Sequence, residues 1–307
     1  MTTPALSVRG LTKRYGDRVV VDDLTLEIPA GVVAGFVGPN GAGKTTTMAM
    51  LLGLVRPTSG TGAVLGQPLD DPASYLPHVG ALIESPAFYP ALSGTTNLRM
   101  FAIVGGHDPE RIPGLLDLVG LADRGHDPFR SYSLGMKQRL GIAAALLGDP
   151  RLLILDEPSN GLDPQGMREM RDLIATVAAG GRTVLVSSHV LSELEQVCDW
   201  LIMIDSGAVL YAGAAIDFAV DTESALRIGT SRGADLAALR RIYADAGHVV
   251  ELHDERLVAR VPAAELDTLA ADLNRAAFDA GIVLTELSPR HSTLQDRYLS
   301  LVDGSTR

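Results

Sequence analysis

Eight consecutive residues constrain this chain more than any other stretch. Gly38-Pro39-Asn40-Gly41-Ala42-Gly43-Lys44-Thr45 match the spacing Gly-x4-Gly-Lys-[Ser/Thr]. The apolar run from Gly31 to Val37 (GVVAGFV) reads as a buried strand, and the run from Thr46 to Leu52 (TTMAMLL) reads as a helix. The motif therefore sits between a strand and a helix, the context its chemistry requires. Glycines let backbone N–H groups converge on phosphate oxygens, aided by the partial positive charge of the helix N-terminus. Lys44 supplies a point charge for the β- and γ-phosphates, and the Thr45 hydroxyl is placed to ligate Mg²⁺. Together with Thr46, which opens the helix, the loop is expected to bind a nucleoside triphosphate.

A second motif supplies the other half of a metal site. Residues 151–155 (RLLIL) form an apolar strand that runs into Asp156-Glu157-Pro158. Open α/β sheets place ligands at the carboxyl ends of their strands, where these two carboxylates stand. Asp156 is expected to hold Mg²⁺, directly or through water. Glu157 is the candidate base for the attacking water.

Composition narrows the partners. The 307 residues allow one large domain and a smaller one. Net charge is −11, and no Lys/Arg-rich run appears, so nucleic acid is not an expected partner. The single cysteine, Cys198, points to a reducing compartment and reads as a small core hydrophobe on a helix. The N-terminus lacks the basic-then-apolar pattern of a signal peptide. No uncharged apolar stretch reaches the roughly 18–20 residues that span a bilayer. A soluble cytoplasmic chain is expected.

Short antiparallel strands are predicted over residues 6–9, 18–21 and 24–28. After the loop and its helix, a mostly helical block covers about 93–149, with breaks at Gly105-Gly106 and Asp127-Pro128. From 151 onward strands and helices alternate: strand 151–155, helix Pro164 to about Ala178, strand Thr183–Val186, helix Leu191–Cys198, and strands near 201–204 and 209–211. That alternation implies a largely parallel sheet with right-handed crossovers. A boundary is expected near residues 213–224, dividing a domain at 1–215 from a module at 220–307. The module reads βαββαβ, a small ferredoxin-like α+β arrangement. Its histidines, His248, His253 and His291, are spread out and read as surface or hydrogen-bonding residues.

Four further features resemble the ATP-binding cassette (ABC) family, and the resemblance covers residues 1 to about 215. Tyr15, in Lys13-Arg14-Tyr15-Gly16, stands where that family stacks an aromatic on adenine; taken alone it would read as a strand-packing tyrosine. Ser133-Leu134-Gly135-Met136-Lys137-Gln138-Arg139 resembles the family's signature loop. Asn160-Gly161-Leu162-Asp163 looks like the loop after the catalytic carboxylate. His189 matches the switch histidine that contacts the γ-phosphate. The resemblance implies an α/β phosphate-loop ATPase core with a mixed sheet, antiparallel N-terminal strands and a helical insertion. It implies ATP and Mg²⁺ as ligands. It also implies two copies paired head-to-tail, each ATP held by one copy's phosphate loop and by Ser133 and the Gly135 N–H of the other.

The chain departs from the family pattern at two places. Leu134 and Met136 replace a glycine and a glutamine of the signature. Glu84, in the segment Gly80–Pro90, stands where the family has a glutamine that senses Mg²⁺ and the membrane subunit. Glu84 thus has two readings, a metal and nucleotide contact or a solvated loop residue. Glu84 with Ser85-Pro86, and the tail Thr293–Leu299, are similar to ATPases of bacitracin resistance, lantibiotic immunity and drug export. This implies the motor of an exporter, peripheral on the inner face of the cell membrane through a separate integral membrane permease. A soluble cassette acting on ribosomes or DNA is the alternative; such proteins usually carry two cassettes, basic extensions or a long coiled coil. A regulator without hydrolysis conflicts with Glu157 and His189.

Overall fold

The computed structural model describes residues 3–84, 87–220, 224–253, 256–261 and 265–290. Ser85-Pro86, His291 and the tail Thr293–Leu299 lie outside the described residues. The chain divides into two compact units, Met1–Ala215 and Ile216–Arg307.

The first unit begins with β1 (Leu6–Tyr15), β2 (Arg18–Ile28), β3 (Val33–Val37), α1 (Lys44–Leu51), β4 (Ser59–Val64), β5 (Gln67–Pro68), α2 (Pro72–Tyr75) and β6 (Val79–Leu82). The helical block follows as α3 (Gly94–Gly105), α4 (Ile112–Leu118) and α5 (Leu134–Ala145), joined by short 3₁₀ turns. The chain then returns through β7 (Leu152–Leu155), α6 (Pro164–Ala178), β8 (Thr183–Ser188), α7 (Leu191–Leu194), β9 (Trp200–Asp205) and β10 (Ala208–Ala214), and α8 (Ala215–Val220) starts at the boundary of the two units.

Two sheets result. One is antiparallel, in the order β2-β1-β4-β5. The other runs β10-β9-β3-β8-β7-β6, with every pairing parallel except that of β10 with β9. β3, β7 and β8 are buried at every position; β3 and β7 carry no polar side chain, while β8 adds buried Thr183, Ser187 and Ser188 to its apolar centre. A core of Leu6, Leu24, Ile28, Phe36, Met48 and Ile202 joins the two sheets across α1. The strand order has one consequence for function. β6, β7, β8 and β3 are neighbours, so the loops that leave their carboxyl ends open side by side.

Local differences from the sequence expectation have identifiable causes. The short N-terminal strands are two long bulged ones. Their register shifts between Val8 and Leu11 and again before Lys13, and Asp23 takes φ 48°. Side chains bridge the irregularity, with Thr25 Oγ1 accepting from the Gly10 N–H and Thr12 Oγ1 from the Asp23 N–H. A bulge resets the inside–outside alternation without ending a strand, so the sequence pattern breaks where the ladder does not. The helix expected over Leu191–Cys198 stops at Leu194. The Val197 N–H turns back to Leu194 O, and Cys198 lies buried in that turn. Burial pushes the Cys198 thiol up to about 12.

One ion-pair cluster ties the helical block to the sheet. Asp149, at φ 49°, accepts from Arg182 Nη2 at 2.6 Å and Arg111 Nη2 at 3.1 Å. Hydrogen bonding from Arg182, with Arg111 beside it, holds the Asp149 carboxyl below the usual carboxylate range. A group depressed in the folded state contributes stability above its unfolded pKa and loses it as pH falls through the folded value. The melting temperature of wild type should therefore exceed that of Asp149→Asn at pH 7. The gap should shrink below about pH 4. A gap that stays constant down to acid denaturation would contradict this role.

The second unit comprises β11 (Ser224–Thr230), α9 (Gly233–Asp245), β12 (Val250–His253), β13 (Arg256–Val261), α10 (Leu266–Asp279) and β14 (Leu284–Arg290). Its sheet runs β12-β13-β11-β14, antiparallel throughout. Leu226, Ile228, Leu239, Leu257 and Leu273 form its own core. Tyr243 donates its hydroxyl to Leu273 O at 3.1 Å, which joins the two helices; burial pushes its phenol up to about 12.

Candidate active site

The loop between β3 and α1 wraps tightly because two of its glycines have no alternative. A Cβ at Gly38 would lie 2.5 Å from Ile204 O, and one at Gly43 would lie 2.6 Å from Val20 O. Gly43 also takes φ 100°, which side chains disfavour. α1 starts on this turn at Lys44, two residues earlier than the sequence expectation, so Thr45 and Thr46 lie in its first turn. That turn leaves N–H groups without helical partners, aimed into the loop.

Lys44 is buried, 6% exposed, and its Nζ donates to Gly38 O at 2.7 Å and Pro39 O at 3.3 Å. It also pairs with Glu157 Oε1 at 3.2 Å. Glu157 Oε2 accepts from His189 Nδ1 at 2.6 Å. An ionised carboxylate only accepts, so Nδ1 carries the proton in this contact. Glu157 is thus held between a lysine from the phosphate loop and a histidine that follows β8.

Asp156 stands at the end of β7, 5% exposed, with both oxygens engaged. Thr45 Oγ1 donates to Oδ2 at 2.7 Å and Ser187 Oγ donates to Oδ1 at 2.6 Å. No group of three or more His, Cys, Asp or Glu able to hold a metal occurs among the described residues. The local donor set is a hydroxyl beside a carboxylate, both hard oxygens. It fits an ion that keeps waters and completes its shell with substrate phosphates, as Mg²⁺ does, rather than one caged by protein.

The structure therefore brings together the loop 38–45, Asp156, Glu157 and His189. The other sequence-marked residues stand elsewhere. Tyr15 is half exposed at the end of β1, with the Lys13 ammonium 4.8 Å from its ring centroid. Ser133 caps α5 by accepting from the Met136 N–H, and Gly135 lies in the first turn of that helix. Leu134 is 45% exposed, and its Cδ2 would meet a Cβ at Gly161 at 3.0 Å. The start of α5 thus packs beside the loop that follows Glu157.

Glu84 lies two residues beyond the end of β6 at φ 57°, exposed, with no hydrogen bond or ion pair to a described residue. Beyond it the chain is anchored by Asn97, which is fully buried. Asn97 Oδ1 accepts from the Tyr89 N–H at 2.8 Å, and its Nδ2 donates to the Tyr89, Leu92 and Ser93 carbonyls. Phe88 packs edge-on against Phe101 and Phe129 of the helical block. Sequence reasoning gave Asn97 and Ser187 no role. A buried asparagine and a strand-end serine become informative only once their hydrogen-bond partners are assembled.

A mostly parallel sheet with a glycine-rich loop after one strand, a buried aspartate after another and a histidine-held glutamate beside it is the arrangement of a nucleoside-triphosphate hydrolase, here with an inserted helical block. The ABC transporter family model matches residues 21–160. Over 96% of each chain, this protein is 37% identical to the bacitracin transport ATP-binding protein BcrA of Bacillus licheniformis. It is 41% identical over 205 residues to the lantibiotic transport ATP-binding protein SrtF of Streptococcus pyogenes, covering 67% of this chain and 89% of the other. Among solved structures, an ATP-binding subunit of an ABC transporter matches with a TM-score of 0.62 and 28% identity, over 89% of this chain and 100% of the other. The chain belongs to the ABC transporter family, as one of its ATP-binding and ATP-hydrolysing subunits. No helix among the described residues is long and apolar enough to cross a membrane.

Proposed function

We propose that this chain is the motor of an exporter for a peptide antibiotic or similar drug, working as two copies on a separate permease. One observation carries this reading. The likeness to a bacitracin transport ATPase runs through 96% of both chains, past the ATPase core and into the second unit.

The site residues take these roles. Backbone N–H groups of the loop Gly38–Lys44 cradle the phosphates, and Lys44 exchanges its contact with Glu157 for β- and γ-phosphate oxygens. Thr45 and Asp156 hold Mg²⁺, with Glu84 as a further acidic contact; the ion, when bound, neutralises charge on the phosphates. Glu157 takes the proton of the attacking water, kept in place by His189, which also faces the γ-phosphate. Tyr15 stacks on adenine. Ser133 and the Gly135 N–H, at the start of α5, reach the γ-phosphate bound to the other copy. Hydrolysis removes that shared contact, and the reopening moves the permease.

Tagged chain drawn from detergent-solubilised membranes should bring down one membrane protein in stoichiometric amount, and its loss should raise sensitivity to bacitracin or a lantibiotic. Recovery with ribosomes or DNA would instead favour a soluble cassette.

Glu84 provides a second test. An ionised glutamate offers only acceptors and a full negative charge where a glutamine would offer a neutral amide. Its segment is tied at the far end to the helical block through Asn97. Glu84→Ala should keep ATP affinity within about threefold, less than 1 kcal/mol, yet lose export and the ATPase response to the permease. Wild-type behaviour in nucleotide binding, stimulated turnover and antibiotic resistance would make Glu84 a bystander.

A further inference from the structure

Two acidic residues of the site, Asp156 through its carboxylate and Glu157 through its backbone amide, converge on one side chain that no motif marks. Ser187 stands near the end of β8, 1% exposed. β7 and β8 pair in parallel with Leu155 opposite Val186, so Ser187 and Asp156 are the next residues along the two strands. The Ser187 hydroxyl donates to Asp156 Oδ1 at 2.6 Å and accepts from the Glu157 N–H at 2.9 Å. Its polarity is fixed, because an ionised carboxylate only accepts and an amide N–H only donates.

The backbone of Glu157 needs such a hold. It takes φ 50°, a left-handed conformation that a glutamate rarely adopts and that persists only where its surroundings impose it. The Ser187 hydroxyl pins the amide on one side of the residue. The Asn160 N–H pins its carbonyl on the other, at 3.0 Å. From that backbone the carboxylate reaches Lys44 and His189 together. Ser188, the next residue, faces away and serves the following turn, accepting from the Val190 N–H and donating toward Glu193.

We propose that Ser187 is a positioning residue for ATP hydrolysis, its single hydroxyl setting the direction of Glu157 and the orientation of Asp156 at once. This rests on the reading of Glu157 as the base. Ser187 acts through its two neighbours, Asp156 and Glu157. Loss of its hydroxyl leaves the phosphate loop intact, so nucleotide binding survives while the chemical step suffers.

The test compares Ser187→Ala, Ser187→Thr and Ser187→Val with wild type and Glu157→Gln in the full chain, reading ATP affinity, KM and kcat. Outer partners of metal-site ligands typically contribute about 10- to 100-fold in activity, and a loss of kcat in that range is expected for Ala and Val. KM for ATP should stay within about threefold, a difference below 1 kcal/mol. Thr and Val have nearly the same shape, so the pair isolates the hydroxyl, and Thr should retain most of the wild-type kcat. Ala and Val turning over at the wild-type rate while Glu157→Gln is inactive would overturn the role of Ser187 alone. Equal losses in Thr and Val would assign the effect to volume and overturn it too. A fully active Glu157→Gln would overturn the reading of Glu157 itself, and with it this inference.

Discussion

Glu157→Gln protein is expected to bind ATP as wild type does and to hydrolyse it at least ~100-fold more slowly, the lower end of a general base's contribution. The substitution keeps the side-chain volume and removes the ability to take a proton. It also disturbs a specific arrangement. The carboxylate accepts from Lys44 with one oxygen and His189 with the other, and an amide can satisfy only one of these donors. Phosphate contacts come from the loop Gly38–Lys44 and are untouched, so affinity should hold while turnover collapses. Steady-state hydrolysis beside a nucleotide-binding titration measures both. Turnover at the wild-type rate would remove Glu157 from the mechanism.

Lys44→Ala should abolish tight ATP binding. The ammonium is buried against the Gly38 and Pro39 carbonyls, positioned by the loop that receives the phosphates. A hydrogen bond to a charged group contributes about 1.5–3 kcal/mol, and Lys44 serves more than one phosphate oxygen. Affinity should therefore fall by roughly 100-fold or more, since about 1.4 kcal/mol is tenfold. Calorimetry with Mg²⁺ is the direct measurement, with thermal melting to show that the fold survives. Unchanged affinity would contradict the assignment of the loop.

The two predictions rest on features that were legible in the sequence for different reasons. The loop 38–45 is read locally, because close backbone approach demands glycines at Gly38 and Gly43 and a lysine must follow. Asp156 and Glu157 are legible because an apolar strand runs straight into them. The register between strands is a tertiary property, and much of the site's organisation depends on it. Nothing in the sequence says that Ser187 lies beside Asp156, that Lys44 reaches Glu157, or that Asn97 fastens the segment after Glu84. The N-terminal strands were misread in length because the bulge near Asp23 breaks the alternation without breaking the pairing. Helix α7 ran short because the chain turns at Leu194 to bury Cys198. Ser133 caps its own helix, and the proposed pairing expects it and Gly135 to meet the ATP of a second copy.

That expectation gives the most direct test of the account. The molecular mass of Glu157→Gln protein in solution should be measured by light scattering after size exclusion, with and without ATP and Mg²⁺. Monomer without nucleotide and dimer with it are expected, the dimer being lost when Ser133 is also replaced by a bulky residue. A Glu157→Gln protein that binds ATP yet remains monomeric at every concentration would contradict a site shared between two copies of this chain.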